Sequence, residues 1–217
     1  MDDSNPKETR KNMPRGIFLL PNLFTTGALF SGFYAIIAAM NDRFEIAATA
    51  IFIAFLLDGL DGRVARLTNT QSAFGAEFDS LSDMVSFGVA PALIVYMWSL
   101  AYLRDVSNFM GKLGWLAAFI YATATALRLA RFNTQVGTAD KRYFQGLASP
   151  AAAAVVMGTV WFCEIYDIRG VDVTYGALVI TLTAGLLMVS NFSYYSFKDL
   201  DLREKVPFVA LLAAVLI

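Results

Sequence analysis

Six apolar stretches divide the chain, at about 17–40, 44–57, 84–103, 113–127, 150–166 and 173–192. Several are near or above the roughly 20 residues that carry a helix across a bilayer. The expected fold is therefore all-α, a polytopic membrane helix bundle. Six transmembrane helices are expected near 22–41, 44–67, 72–102, 111–133, 149–167 and 173–193, with a short interfacial helix near 13–20. The first apolar run, broken by Pro21-Asn22 and Thr25-Thr26, exceeds the usual core of a signal peptide and reads as uncleaved. A seventh run, 206–217, is too short to span and reads either as a truncated helix or as a segment packed on the bundle. With no internal repeat or low-complexity tract, residues 1–217 read as one domain.

Composition narrows the chemistry. The chain is 57% hydrophobic and 16% charged, with a mean hydropathy of +0.55, too apolar for a soluble domain. Net charge is −1, so no basic surface points to nucleic acid. Histidine is absent, which removes His-ligated zinc, Ser-His triads and histidine nucleophiles. The single cysteine, Cys163, forms no internal disulfide or thiolate cluster. A bound metal must use oxygen ligands, and a general base is expected to be a carboxylate.

Basic residues set the orientation. The N-terminus, the 2–3 turn, the 4–5 loop and the C-terminal stretch share one side, carrying residues such as Lys7, Arg10, Arg63, Arg66, Arg128, Arg131, Lys141 and Arg142. The other side carries Arg43, Arg104, Lys112 and Arg169. The positive-inside rule puts both termini in the cytoplasm.

Residues 58–83 read DGLDGRVARLTNTQSAFGAEFDSLSD, with Asp58, Asp61, Glu77, Asp79 and Asp83 at the cytoplasmic ends of helices 2 and 3. Charges are costly in a membrane helix, so five acids there need a reason. At helical spacing Asp58, Asp61, Gly62, Ala65 and Arg66 share one stripe of helix 2, and Gly75, Asp79 and Asp83 one stripe of helix 3. A short turn near 68–72 makes these helices antiparallel neighbours, so both stripes can face one cleft. The acids would repel unless something positive lay between them. One or two hard divalent cations, Mg²⁺ or Mn²⁺, fit the available donors. Beside a membrane this suggests a pyrophosphate substrate. Gly62 and Gly75 leave room for a ligand near the backbone, and Arg66 can neutralise a phosphate. The plainer reading, salt bridges to Arg63 and Arg66, leaves five acids against two arginines.

The pattern Asp58-x2-Asp61-Gly62-x2-Ala65-Arg66-x8-Gly75-x3-Asp79-x3-Asp83 resembles, at all eight fixed positions, the signature of the CDP-alcohol phosphotransferase family. The family's six-helix fold agrees with the helix count. Further blocks are most similar to its integral-membrane branch that uses a serine acceptor. These are Pro21-Asn22-Leu23-Phe24-Thr25, the run from Ser82 to Pro91, Arg128-Leu129-Ala130-Arg131-Phe132-Asn133, and the run from Phe144 to Pro150. The resemblance implies transfer of a phosphatidyl group from CDP-diacylglycerol to L-serine, releasing CMP. It implies Asp58, Asp61 and Asp79 as metal ligands, with Asp83 as ligand and general base. It also implies a homodimer in the plasma (inner) membrane, with the active site facing the cytoplasm. Direct in-line displacement without a covalent enzyme intermediate is expected.

For Asn22 and Thr25 two readings stand together, a helix N-cap and contact with the CDP moiety. Gly62, Ala65 and Gly75 are expected beside the nucleotide. Arg128 and Arg131, one turn apart on helix 4, suit the acceptor carboxylate or else snorkel to headgroups. Asn133 and Ser86 are further acceptor candidates. Lys141 and Arg142 read as a loop facing anionic lipid. Rival functions are a family member with a glycerol-phosphate or inositol-phosphate acceptor, a divalent cation transporter, and a scaffold that has lost turnover.

Overall fold

In the computed structural model the described residues are 19–68, 70, 72–135, 143–191 and 193–195. Helices α1 (Leu19–Ala39) and α2 (Phe44–Leu67) form a hairpin. At its bend Asn41 Nδ2 donates to the Ile37 carbonyl at 2.7 Å, and Asp42 adopts a left-handed φ of 56°. Ala28, Ala35, Ala38 and Ala39 of α1 and Ala47, Ala48, Ala50 and Ala54 of α2 are buried. Small side chains let two helix backbones approach closely, which suits a bundle with little hydrophobic drive between its helices.

A short turn returns the chain into α3 (Ala73–Asp83). Thr68 Oγ1 donates to the Val64 carbonyl at 2.7 Å, and Ser72 caps α3 by accepting from the Gly75 N–H at 3.0 Å. Beyond Asp83 the helix widens into a π turn (Met84–Val89) before continuing as α4 (Ala90–Trp98). At the end of this turn the Ala90 N–H reaches back five residues, to the Val85 carbonyl. The expected helix 72–102 ends earlier, at Trp98. There Ser99 leaves helical geometry and donates its hydroxyl to the Gly170 carbonyl at 2.7 Å.

A 3₁₀ turn (Leu100–Tyr102) and α5 (Leu103–Val106) lead into α6 (Asn108–Gln135). Then come β1 (Tyr143–Gln145), α7 (Ser149–Ile165), a second 3₁₀ turn (Gly170–Val173), α8 (Thr174–Val189) and β2 (Ser193–Tyr195). β1 and β2 pair antiparallel, with Phe144 opposite Tyr194. This three-residue pairing is the departure from an all-helical fold. The centre of the bundle is filled by Tyr121, Phe87, Ile94, Met157 and Met188, all fully buried. Tyr121 donates its hydroxyl to the Phe87 carbonyl, inside the π turn, at 3.1 Å.

Among the described residues four helical stretches are long and apolar enough to cross a membrane: Pro21–Ala39, Ala73–Trp98, Asn108–Thr134 and Gly170–Val189. α2 has the length, at 24 residues, but carries Glu45, Asp58, Asp61, Arg63 and Arg66. α7 is apolar but has 17 residues. Phe30, Phe33, Phe119, Phe162 and Leu186 lie exposed on the outside, an arrangement suited to lipid as solvent. The expected interfacial helix (except 19 and 20, the first turn of α1), the run 206–217 and the pair Lys141 and Arg142 lie outside the described residues.

Candidate active site

The acid stripes of α2 and α3 face each other across the turn that joins them. One carboxylate oxygen from each of Asp58, Asp61 and Asp79 lies within 4.8 Å of the others. Two bare charges at that separation repel by on the order of 3 kcal/mol at an effective dielectric of about 20. No Lys or Arg comes within salt-bridge distance of these acids among the described residues, where the ion pair formed is Arg169–Asp172, at the far end of the bundle. Asp79 Oδ1 is buried and finds no hydrogen-bond partner among them. An orphaned acceptor costs free energy unless it is satisfied. Converging oxygens, no histidine and no thiolate are a donor set for a hard divalent ion such as Mg²⁺ or Mn²⁺, so the residues fit such a metal.

α1 joins the site from the side. Thr25, buried at the start of α1, donates its hydroxyl to Asp61 Oδ2 at 2.7 Å, while the Pro21 carbonyl lies 3.1 Å from the Thr25 hydroxyl oxygen. Ser82 of α3 donates to the Thr25 carbonyl at 3.2 Å. One turn later Ser86 donates to the Ala28 carbonyl at 3.1 Å.

A cleft of about 370 Å³ opens beside the acids, between α1, α2 and α3. Asn22, Thr25, Asp61, Gly62, Ala65, Arg66, Gly75 and Asp79 all line it, so the residues expected around the CDP moiety come together. The Arg66 Nε donates to the Gly62 carbonyl at 2.9 Å, which draws the guanidinium along the cleft wall. Among the described residues outside its own helical turn, a Cβ at Gly62 would meet only Arg66 Nη2, at 3.9 Å. Packing among the described residues thus gives no reason for a glycine there. Pro21, Thr70, Ser72 and Ala76 also line the cleft and were not singled out from sequence. The helix-capping position of Ser72 was the available signal.

Asp83 stands apart from the three-acid set. Its carboxyl is within hydrogen-bonding reach of Asp58, and it faces the Arg128 guanidinium without forming a salt bridge. Arg128 Nη1 donates to Ser149 Oγ at 2.6 Å, which ties α6 to the start of α7. The other acceptor candidates are engaged elsewhere. Arg131 donates to the Val189 carbonyl at 3.2 Å and to Asn191 Oδ1 at 3.4 Å. The expected sixth helix accordingly stops at Val189 rather than 193. Asn133 exchanges hydrogen bonds with Ser80, at 3.0 and 3.2 Å, holding α6 beside Asp79. Ser86 is fully buried against α1.

The family model for CDP-alcohol phosphatidyltransferases matches residues 18–192, the whole helical body just described. The chain belongs to this family. It is therefore a transferase and an integral membrane protein. Its curated relatives include three proteins named CDP-diacylglycerol–serine O-phosphatidyltransferase. That of Helicobacter pylori strain 26695 is 39% identical over 196 residues, covering 90% of this chain and 80% of the relative. That of Methanocaldococcus jannaschii is 39% identical over 149 residues, covering 69% and 63%. That of Saccharomyces cerevisiae is 37% identical over 148 residues, covering 61% and 50%.

Proposed function

We propose that this CDP-alcohol phosphatidyltransferase moves the phosphatidyl group of CDP-diacylglycerol onto the hydroxyl of L-serine and releases CMP. The observation that carries the reading is the convergence of Asp58, Asp61 and Asp79 at one end of a membrane bundle, beside a cleft that Gly62 leaves open at the α2 backbone. The names of the relatives favour serine as the acceptor.

In this reading Asp58, Asp61, Asp79 and Asp83 would hold two divalent ions. Such ions, when bound, would stabilise charge on the entering serine oxygen and the leaving CMP oxygen. Asn22, Thr25, Gly62, Ala65 and Gly75 form the donor cleft, and Arg66 offsets phosphate charge. Asp83 takes the serine hydroxyl proton as that oxygen bonds to the β-phosphorus carrying diacylglycerol. The bond from this phosphorus to the CMP oxygen breaks, and CMP leaves with the electron pair. Arg128, steered by Ser149 and facing Asp83, meets the serine carboxylate. Arg131, Asn133 and Ser86 fix the helices that frame the acceptor side.

The reading includes one domain with six spans. α2 and α7 join the four longer apolar stretches, both termini lie in the cytoplasm of the plasma membrane, and the chain forms a homodimer. A transporter would need acids spread through the membrane depth, whereas this set gathers at one end.

The test is CMP release from CDP-diacylglycerol in lipid nanodiscs with Mg²⁺ or Mn²⁺. L-serine, glycerol 3-phosphate and inositol phosphate are compared as acceptors. Serine-dependent release is expected, with a loss of about 10²–10⁴-fold in Asp83→Asn and donor binding retained. Release driven by another acceptor refutes serine specificity, and full turnover in Asp83→Asn refutes the base assignment.

A further inference from the structure

Thr25 occupies a place that nucleotide contact alone does not explain. It is 3% exposed, yet it is polar and sits in an apolar helix. Its hydroxyl has one proton, and the shorter of its two contacts is to Asp61 Oδ2, at 2.7 Å against 3.1 Å for the Pro21 carbonyl. The proton therefore goes to the carboxylate, across two helices and 36 positions of sequence. Asp61 is itself buried, at 5% exposure, and belongs to the set of converging acids.

The register of α1 is held from the opposite side. Ser82 and Ser86, one turn apart, donate to the Thr25 and Ala28 carbonyls of α1. Gly32 admits this approach, because a Cβ there would lie 2.7 Å from the Ser86 Cα. α1 is thus fastened by its backbone to α3 and the π turn while its one buried hydroxyl is aimed at α2.

We infer that Thr25 is a positioning residue for Asp61. It holds one carboxylate oxygen by a hydrogen bond, so that the other oxygen is turned toward Asp58 and Asp79 for a divalent cation. A carboxylate fixed in this way loses less rotational freedom when it takes up an ion. Partners of metal ligands are commonly worth on the order of 10–100-fold in metal affinity. The inference rests on the metal site of the proposed function. It gives that site a third helix that contributes no ligand.

The experiment is a Mn²⁺ titration of the full chain in nanodiscs, followed by the electron paramagnetic resonance of free Mn²⁺, without substrate. Wild type must bind Mn²⁺ first; if it does not, the metal-site reading fails independently of Thr25. Thr25→Val and Thr25→Ala both remove the hydroxyl and are expected to weaken binding about 10–100-fold. Thr25→Ser, which keeps it, is expected to stay near wild type. Thr26→Val is the control, since the neighbouring hydroxyl bonds only to the Asn22 carbonyl, at 2.7 Å. Unchanged affinity in a folded Val or Ala variant overturns the inference. So does equal weakening in Thr25→Ser, and so does failure of both hydroxyl-free variants to fold, which would make the group a fold determinant.

Discussion

Gly62→Ala separates what the fold needs from what the ligand needs. Gly62 lies inside α2, where glycine costs about 0.8–1 kcal/mol relative to alanine. Among the described residues outside its own helical turn, an added Cβ would meet nothing closer than Arg66 Nη2, at 3.9 Å, the flexible end of a long side chain. The substitution is therefore expected to raise stability by up to about 1 kcal/mol, which for a chain of this size is roughly 2–4 °C in thermal midpoint. The methyl enters the cleft of about 370 Å³ instead. A donor pressed against the α2 backbone must then shift by about the width of that group. A misplacement of about 1 Å can cost on the order of 100-fold in rate. The assay pairs thermal unfolding of the purified protein with CMP release over a range of CDP-diacylglycerol concentrations. An equal or higher midpoint with turnover down about 100-fold and a raised donor KM is expected. Wild-type kinetics would refute ligand approach at Gly62, and a clear loss of stability would show that the glycine serves packing after all.

Gly32→Ala should behave in the opposite way, because its Cβ would lie 2.7 Å from the backbone of Ser86; overpacking of this kind costs about 1–3 kcal/mol. A lowered thermal midpoint is expected, with Gly176→Ala, whose Cβ meets nothing within 4 Å, unchanged or slightly raised. Chelation with EDTA should abolish CMP release, and Mg²⁺ or Mn²⁺ should restore it; turnover that survives exhaustive chelation would remove the metal from the scheme.

The acid stripes were legible in the sequence because they depend only on spacing within single helices. Asp58, Asp61 and Gly62 must share a face of α2 whatever surrounds them. Contacts between helices were less legible, because each depends on how a helix is rotated against its neighbours. Ser86, close to the acids in sequence, is turned toward α1 by the π turn and spends its hydroxyl on Ala28. Arg131 was read as an acceptor contact, yet it ties down the end of α8, a partner 58 residues away. Asn133 reaches back 53 residues to Ser80. Thr25 was named from its place at the membrane entry, but spacing carries no sign of its bond to Asp61. The bounds of α4 and α8 were overestimated for a similar reason. Ser99 and Ser190 stop helices that hydrophobicity alone would extend.

The π turn at Met84–Val89 has a further consequence for the length of the chain. It carries its hydrogen bonds over one residue more per ring than the helices on either side. Counted at 100° per residue from Asp79, Ala92 and Val95 would fall on roughly the opposite face, and both are nonetheless buried. Excising a single residue from this stretch would let the backbone relax into a regular helix. Because the wide turn absorbs that one extra residue, the side chains from Ala90 to Trp98 would keep their present facing, whereas the same deletion in the regular helix beyond it would swing every residue that follows by about 100°.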